Sequence, residues 1–357
     1  MKRVFVGMSG GVDSSVAAAL LVEQGYQVTG VYMKNWTKDL PGMRCPWADD
    51  LADAKRVAVQ LGIDFLVYDF EAEYKHHVVD YMIDEYTAGR TPNPDIMCNQ
   101  EVKFKLFLEA ALADGADMIA TGHYARVKSQ ETTGIPRSAL LQAKDTSKDQ
   151  TYFLYRVTEQ ALSKTLFPLG GYTKSQVRDM ARERGLWTAT KKESMGVCFV
   201  GNVSMKDFLS HYVTTVPGNI VDQQSGVVLG QHDGALFYTT GQRHGLGLGG
   251  GLPYYVVGKD IAKNEVYVSQ RLHNEAMWQP TIRLHMLHGI TGALQSGHYQ
   301  VRLRHRAPLA AAELQVTGQQ TGILTMSEPQ RVATPGQSVV CYAGSECVGG
   351  GIIAAHT

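Results

Sequence analysis

The first 120 residues alternate between β-type and helix-type runs, and this alternation limits the fold more than any other feature of the chain. Residues 2–8 form a β-rich run, residues 14–25 an Ala/Leu/Val-rich helical run that ends at glycine, and residues 27–33 a second β-rich run. Similar runs continue to about residue 121. This pattern predicts an α/β domain with a mainly parallel, doubly wound sheet, which binds ligands at the carboxyl ends of its strands.

The remaining sequence predicts two β-rich units. After about residue 201, glycine and turn signals become frequent, with short β-type runs between them. Beyond Pro280, alternating and turn-bounded runs predict a β-barrel or a sandwich. We therefore expect an α/β domain over residues 1–200, a small central β-rich domain over 201–278 and a C-terminal β-barrel over 279–357.

Composition indicates an ordered globular protein and leaves its partners open. Lysine plus arginine and aspartate plus glutamate each number 34, so a nucleic acid would have to be bound by local basic patches. The apolar run at the N-terminus breaks at glycine too early for a signal peptide, and no stretch of about 18 apolar residues occurs. We expect no membrane span and a cytoplasmic location.

The five cysteines are scattered and never form a CxxC pair. Their spacing argues against structural zinc and against a CxxC-bound iron–sulfur cluster, so we expect no metal held by cysteine. In a reducing compartment these thiols should be free unless chemistry requires otherwise.

The segment GMSGGVDSS, residues 7–15, lies between the first strand and the first helix. Glycines allow close backbone approach, serines and amides donate hydrogen bonds, and the following helix presents its positive end, so the loop suits phosphate. It matches neither GxxxxGK[ST] nor GxGxxG. Asp13 either caps the helix or helps to hold Mg²⁺. A simple glycine turn is the plainer alternative.

This string resembles the SGGxDS signature of the ATP pyrophosphatases, which cleave ATP between the α and β phosphates and adenylate a substrate. The motifs TPNPDIMCNQEVKF, ATGHYARV, KDQTYFLY, GVCFVG, TGQRHGLGLGG and TPGQSVV, followed by GGGII, look like the bacterial tRNA 2-thiouridylases (MnmA/TrmU family) over essentially the full length. The resemblance implies an ATP pyrophosphatase-type catalytic domain. It also implies that the enzyme adenylates the 2-oxygen of the wobble uridine and replaces it with sulfur from a cysteine persulfide, releasing AMP and pyrophosphate.

The resemblance also implies contacts with ATP, which Mg²⁺ accompanies. For Met33 alone, local sequence would favour a core methionine. The expected ATP contacts are Gly7, Met8, Ser9, Gly10, Gly11, Val12, Asp13, Ser14, Met33 and Gly122.

Cys98 follows a proline-punctuated loop and precedes a helix, where backbone amides could favour the thiolate. The plainer alternative is a buried, inert cysteine, although such a loop is an unusual place for a core residue. Cys198 has the sequence surroundings of an ordinary strand cysteine. The resemblance makes Cys198 the persulfide carrier and Cys98 the partner that frees the sulfur by thiol exchange, closing a transient disulfide. The family commonly has threonine at the position of Met195, which raises a question about rate.

Asp95 stands three residues before Cys98. Local sequence supports equally a turn cap and a group that orients the base or exchanges a proton. The resemblance favours contact of Asn93, Pro94 and Asp95 with the target uridine, with Asp95 acting in catalysis.

Residues 298–306, HYQVRLRHR, would place Arg302, Arg304 and Arg306 on one face of a regular strand. Such a ladder could follow RNA phosphates or simply protect a solvated edge. The resemblance implies tRNA contacts at Arg304 and His305, which requires a bulge or a strand end between them.

Other tRNA contacts rest on the resemblance alone, because their local signals are weak. Residues 241–251 are rich in glycine and form either a loop that moves over the active site or a static connection. The further expected contacts are His123, Lys148, Asp149, Gln150 and Gln337. For Lys148, Asp149 and Gln150, the plainer alternative is a polar loop before a strand formed by TYFLY, residues 151–155.

Two other functions fit parts of the sequence. An amidotransferase or synthetase of the same superfamily would explain the loop GMSGGVDSS but would give Cys98 and Cys198 no role in the reaction. A non-catalytic RNA-binding or sulfur-relay protein would need the basic strand but not both thiols. For a thiouridylase, the expected partners are tRNA and a sulfur-donor or sulfur-relay protein, whose identity the sequence does not reveal.

Overall fold

The computed structural model describes residues 1–39, 45–132, 135–192, 204–249, 251–271, 278–331 and 334–354. Seven strands lie in the first part of the chain. They are β1 (Arg3–Gly7), β2 (Gln27–Lys34), β3 (Asp64–Asp69), β4 (Met118–Thr121), β5 (Ala125–Thr132), β6 (Ile135–Gln142) and β7 (Thr165–Leu166).

The helices of this part flank its sheet. Those of α type are α1 (Val12–Glu23), α2 (Trp47–Leu61), α3 (Glu71–Tyr74), α4 (Tyr81–Thr87), α5 (Pro94–Met97), α6 (Phe107–Ala113), α7 (Thr151–Leu154), α8 (Glu159–Ser163) and α9 (Lys174–Glu183). Two π-helical stretches, Lys75–Asp80 and Cys98–Leu106, join α3 to α4 and α5 to α6.

The first sheet has five parallel strands in the order β3-β2-β1-β4-β7. Its central strand β1 is an apolar run with Val4 and Val6 fully buried, as expected for a parallel strand covered on both faces. Helix α1 packs through small side chains, among them Ala17 and Ala18. The predicted doubly wound α/β fold is confirmed, with the glycine–serine loop at the carboxyl end of β1.

A small four-stranded sheet follows helix α10 (Met205–Ser210). Its strand order is β10-β11-β8-β9, with β11 and β8 parallel. Its strands are β8 (Gly218–Asp222), β9 (Val228–His232), β10 (Tyr255–Asp260) and β11 (Glu265–Ser269).

The last part closes into a six-stranded antiparallel barrel, which confirms the predicted barrel. Going round it, the order is β12-β15-β14-β13-β16-β17, and β17 pairs with β12 to close the ring. The barrel strands are β12 (Trp278–Gly289), β13 (Gly297–Arg302), β14 (Ala310–Gly318), β15 (Thr321–Arg331), β16 (Ser338–Ala343) and β17 (Glu346–Ile353).

The barrel and the first part of the chain share one continuous sheet. The β5–β6 hairpin adds to β17, with Leu140 opposite Cys347 and Leu141 opposite Glu346. The barrel is thereby hydrogen-bonded to the segment that follows β4, close to the carboxyl edge of the first sheet. The limits 1–200, 201–278 and 279–357 stay a prediction, since residues 193–203 and 272–277 lie outside the described part.

Two expectations about local structure are wrong. The TYFLY segment is not a strand: residues Thr151–Leu154 form the short helix α7. The arginine ladder does not exist either, because β13 ends at Arg302, whose side chain is buried in an ion pair, and Arg306 has a left-handed backbone with φ of 62°. Within the described ranges, no helix combines the length and apolar character needed to cross a bilayer.

Candidate active site

A cleft of about 270 Å³ opens at the carboxyl ends of β1, β2 and β4. This is where a doubly wound sheet binds ligands, because strand order changes direction there and helix N-termini converge. Seven of the expected ATP contacts line the cleft: Gly7, Met8, Ser9, Asp13, Ser14, Met33 and Gly122.

The glycine–serine loop is held by its own hydroxyl groups. The Ser9 amide donates to Ser14 Oγ at 3.2 Å, and Ser14 Oγ in turn donates to the Gly11 carbonyl at 3.2 Å. Ser15 Oγ donates to the same carbonyl at 2.8 Å. Gly11 caps α1 without a side chain, so amides of the first helical turn are available to an anion.

Two glycines are required by close backbone approaches around this loop. Gly10 has φ of 70°, and a Cβ there would lie 2.2 Å from the carbonyl oxygen of Asp50 on α2. A Cβ on Gly122 would lie 2.8 Å from the Ser14 amide nitrogen. The loop is therefore packed between the start of α2 and the end of β4, with no space for a larger residue at either contact.

Asp13 is paired with a lysine that sequence reasoning did not identify. Lys174 Nζ, at the start of α9, lies 2.7 Å and 2.8 Å from the two carboxylate oxygens of Asp13. Tyr124 Oη donates to one of them at 3.0 Å. The ammonium group offsets the negative charge of Asp13 beside the loop, which reduces repulsion of phosphate.

A second cavity, of about 280 Å³, lies on the other side of the loop and shares Ser9, Asp13 and Gln150 with the cleft. Gly11 and Val12 line it as well. It is rich in cations from distant parts of the chain: Lys148, Lys174, Lys192 and Arg306. Three predicted tRNA contacts, Lys148, Gln150 and His305, therefore line the same cavity as the nucleotide loop.

The far side of the cleft is apolar and aromatic. Met33, near the end of β2, lines it together with Tyr32, Trp36 and Trp47. The Met33 Cε atom lies 3.0 Å from the position that a Cβ on Gly7 would take, so the Met33 side chain packs closely against strand β1. An apolar wall opposite a phosphate-binding loop can hold a flat heterocycle such as a purine.

Cys98 opens the π-helical stretch Cys98–Leu106 and is only 2% exposed. It belongs to a buried cluster that also contains Trp36, Cys45 and Tyr74, three residues that line the cleft. Cys98 itself is not among the lining residues of the cleft. The thiol thus lies behind one wall of the cleft.

The pKa values of Asp95 and His123 are both shifted, and both groups interact with the charge of Lys103, which lines the cleft. Burial raises the pKa of Asp95, although the charge of Lys103 opposes the effect. Burial also lowers the pKa of His123 far below its usual value, and Lys103 adds to that shift. His123 therefore stays neutral, with Nδ1 2.8 Å from Thr121 Oγ1, and it lines the nucleotide cleft.

Three loops, one from each part of the chain, meet at residues 91–95, the TPNPD segment. The Thr91 amide donates to the Pro335 carbonyl at 2.8 Å, and Thr91 Oγ1 lies 3.2 Å from Thr239 Oγ1. Gly336 packs so tightly that a Cβ there would be 2.9 Å from the Thr91 nitrogen. Gln337 comes directly after Gly336 and is half-buried. Asn93 and Pro94 lie two and three residues after Thr91, next to this junction.

The other predicted tRNA contacts differ widely in exposure. Asp149 is 1% exposed and accepts from Arg302 at 2.9 Å, so its carboxylate holds the barrel onto the first domain. Gln150 Oε1 accepts from the Tyr124 amide. His305 packs 4.4 Å from the Phe153 ring, and burial together with Arg306 and Arg302 lowers its pKa to about 4. Arg304 is half-buried beyond the end of β13.

Cys198 and Met195 lie outside the described residues, so the structure does not bear on their roles. The chain before them is fixed by Lys191, which contacts Asp50 at 2.8 Å and Asp53 at 2.7 Å on α2. After them, Ser204 caps α10, and Phe208 of that helix packs in the cluster of Cys98. Both ends of the segment are thus attached beside the cleft and the Cys98 cluster.

The donor set fits a nucleotide-bound Mg²⁺ better than a protein-enclosed ion. In the described ranges, no group of three or more His, Cys, Asp or Glu side chains could hold a metal. Asp13 and Asp50 both line the cleft. One or two carboxylates plus phosphate oxygens is the usual arrangement for Mg²⁺ in enzymes that use ATP.

The glycine-rich segment after residue 240 is anchored to the central sheet. The Gly241 amide donates to the Val256 carbonyl at 2.7 Å, and Tyr238 Oη donates to the Gly245 carbonyl at 3.3 Å. Residues 241–249 and 251 therefore form a structured connection here, while Gly250 lies outside the described part. A role as a moving loop stays untested.

Comparisons with known proteins cover nearly the whole chain. Three family models match in order: a tRNA methyl transferase HUP domain over residues 2–202, a tRNA methyl transferase PRC-barrel domain over 206–270 and an aminomethyltransferase beta-barrel domain over 280–353.

Relatives of known sequence align along nearly their entire length. The chain is 48% identical to the tRNA-specific 2-thiouridylase MnmA of Bacillus licheniformis and 47% identical to that of Bacillus cytotoxicus, in each case over 98% of this chain and 94% of the relative. A solved 4-thiouridine synthetase–RNA complex with bound ATP aligns over 59% of this chain and 50% of its own, with 17% identity and a TM-score of 0.39. That structural likeness is too low to support a conclusion.

Proposed function

The chain belongs to the tRNA-specific 2-thiouridylase family, and from this premise we propose how its cleft performs the reaction. The enzyme is an ATP-dependent tRNA-uridine 2-sulfurtransferase. The observation that carries the assignment is 48% identity to such an enzyme over 98% of the chain. Two of the matching domain families are named after tRNA methyl transferases, but a methyl-transfer reaction would not explain the phosphate-binding loop.

ATP binds with its phosphates on the glycine–serine loop and its base against the apolar wall near Met33. The free amides at the start of α1 support this orientation, since they donate hydrogen bonds to phosphate oxygens and the helix dipole favours the negative charge. Asp13 would hold the Mg²⁺ that accompanies the nucleotide, and its pairing with Lys174 keeps the local charge balanced.

The first chemical step activates the uridine. The 2-oxygen attacks the α-phosphorus, the bond from that phosphorus to the bridging oxygen breaks, and pyrophosphate leaves with the electron pair. The N3 proton of uridine must be released as the adenylated base forms. Asp95 is suited to accept it, because burial raises the pKa of its carboxyl towards that of a useful base.

The second step delivers sulfur. The Cys98 thiolate attacks the inner sulfur of a persulfide on Cys198, which forms a Cys98–Cys198 disulfide and releases hydrosulfide. Hydrosulfide adds to the uridine C2, and AMP leaves with its bonding electrons. Support comes from the position of Cys98 behind the cleft wall and from the attachment of both ends of the Cys198 segment beside it.

tRNA would be bound across the first domain and the barrel. The cation-rich cavity that joins Lys148 to His305 and Arg306 supports this location, since RNA phosphates require local positive charge. The TPNPD segment and Gln337 meet at the same junction. A sulfur-relay partner would load Cys198. Cys45, Cys341 and Cys347 are buried free thiols, which agrees with a reducing cytoplasm.

The test is mass spectrometry of nucleosides from unmodified tRNA incubated with enzyme, Mg²⁺-ATP and a persulfide donor. We expect a new 2-thiouridine at the wobble position, formed together with AMP and pyrophosphate. An adenylating enzyme for small molecules would leave the tRNA unchanged, and an RNA-binding protein without catalysis would leave ATP intact. Either result would reject the proposal.

A further inference from the structure

The segment between Asp149 and Arg156 is bound to the barrel on three strands. Tyr152 Oη donates to the Ser338 carbonyl at 2.9 Å, and Tyr155 Oη lies 3.1 Å from Ser338 Oγ, both on β16. Arg156 Nη1 donates to the Met286 carbonyl on β12 at 3.0 Å. Together with the Asp149–Arg302 pair on β13, these contacts fix helix α7 to the barrel.

The same segment also makes hydrogen bonds to the two residues that follow Cys98. Asn99 is 2% exposed, and its Nδ2 donates to the Phe153 carbonyl at 3.1 Å. Gln100 accepts a hydrogen bond from Arg156 Nε. Arg156 is itself 8% exposed, so one buried guanidinium links the turn after Cys98 to a barrel strand.

The geometry at both ends of this link is unusual. Met286, which accepts from Arg156, has φ of 49° and lies at the register shift between β12 and β17. Asn99 Oδ1 is buried with no partner among the described residues. An unpaired buried acceptor costs about 1–3 kcal/mol. An apolar side chain would avoid that cost but would lose the hydrogen bond to the Phe153 carbonyl, so this link is what distinguishes asparagine from an apolar residue here.

We propose that Asn99 and Arg156 are positioning residues that fix the Cys98 thiol relative to the barrel during sulfur transfer. The inference rests on the proposed function and deepens it. A nucleophile must be held within a few tenths of an ångström of its productive position, and a displacement of about 1 Å can lower the rate about 100-fold. Cys98 precedes Asn99 directly, so the two hydrogen bonds fix the backbone that carries the thiol.

The link also reaches the surface predicted to contact tRNA. Phe153, whose carbonyl binds Asn99, packs its ring 4.4 Å from the ring of His305. A tRNA that contacts the end of β13 would therefore press on helix α7, the same short helix that is hydrogen-bonded to Asn99 beside Cys98. The arrangement separates two steps: adenylation uses the glycine–serine loop, and only sulfur transfer uses the position of the thiol.

The experiment compares Asn99→Leu and Arg156→Met with the wild-type enzyme and with Arg137→Met. Arg137 is a matched control, because it also pairs with the barrel, at Glu346, and its hydrogen bonds among the described residues include none to Cys98, Asn99 or Gln100. Each protein, in excess over tRNA, receives Mg²⁺-ATP and persulfide donor, and pyrophosphate from adenylation and 2-thiouridine from sulfur transfer are measured during a single turnover. Thermal unfolding shows whether each variant is folded.

We expect both variants to form pyrophosphate within about threefold of the wild-type rate while the rate of 2-thiouridine formation falls about tenfold or more. Arg137→Met should keep the wild-type ratio of these two rates. If Arg156→Met fails to fold, Gln100→Met removes the same hydrogen bond and provides the result. An unchanged ratio in the folded variants, or an equal fall with Arg137→Met, overturns the inference. Failure of the proposed function is distinct, since the wild type would then make no 2-thiouridine.

Discussion

A single methyl group at Gly122 tests the arrangement of the nucleotide loop. A Cβ at this position would lie 2.8 Å from the Ser14 nitrogen and 2.9 Å from the Asp13 carbonyl carbon. Ordinary van der Waals contact begins at 3.4 Å, so the methyl group would be about 0.6 Å too close. The atoms it meets are backbone atoms of the first turn of α1, which cannot rotate out of the way.

The Gly122→Ala change must therefore move the loop away from β4. Overpacking of this kind costs about 1–3 kcal/mol. The displaced amide of Ser14 is one of the groups that would bind phosphate, so we expect most of that penalty to appear in nucleotide binding. Because about 1.4 kcal/mol corresponds to a factor of ten, ATP affinity should fall about 10–100-fold.

Isothermal titration with ATP measures this effect directly. Gly171→Ala is the matched control, since a Cβ at this exposed glycine would meet nothing within 4 Å. It should bind ATP as the wild type does. Equal ATP affinity and equal melting temperature for Gly122→Ala and Gly171→Ala would refute the close approach of β4 to the loop.

Three further predictions concern charged groups. Lys174→Met leaves the Asp13 carboxylate to repel phosphate and should weaken ATP binding about tenfold in titrations, while unchanged affinity would contradict the pairing. Arg302→Met leaves Asp149 buried without its cation and should lower the unfolding free energy by about 3–5 kcal/mol in denaturant titrations; a loss below about 1 kcal/mol would show that the pair is dispensable. Burial raises the pKa of Asp95, so the folded state binds that proton more tightly and stability falls as pH rises from about 4 through the raised pKa. Asp95→Asn should therefore lose less stability than the wild type between pH 4 and 7, and parallel pH–stability curves would contradict this.

The architecture was accessible from the sequence because its signals are local. The β–α alternation and the loop at the end of β1 depend on neighbouring residues, and both are confirmed. The closed barrel followed from alternating runs in the same way. The attachment of the β5–β6 hairpin to β17 was not foreseen, because it pairs residues about 200 positions apart, such as Leu140 with Cys347.

Tertiary contacts also explain the local errors. The β-forming residues of TYFLY occur in helix α7 because tyrosine hydroxyls reach Ser338 of the barrel, a distant contact that outweighs propensity. The arginine ladder failed because Arg302 pairs with a buried carboxylate 153 positions away. Lys174 went unnoticed for the same reason, since Asp13 lies 161 positions from it.

The position of Cys98 shows the limit of motif reading most clearly. The proline-rich loop before it suggested an accessible thiol, yet the side chain is buried in an apolar cluster. The cluster is built from Trp36, Tyr74 and Phe208, which belong to three separate segments. Motif reading cannot reveal this burial, because the three segments that form the cluster are far apart in the sequence.

The most direct test of the two-thiol account is a single turnover followed by peptide mapping. Enzyme with a persulfide on Cys198 is mixed with tRNA and Mg²⁺-ATP, quenched with an alkylating reagent and digested without reduction. The account predicts one Cys98–Cys198 disulfide for each 2-thiouridine formed. Formation of 2-thiouridine while both cysteines are recovered as alkylated thiols would contradict it.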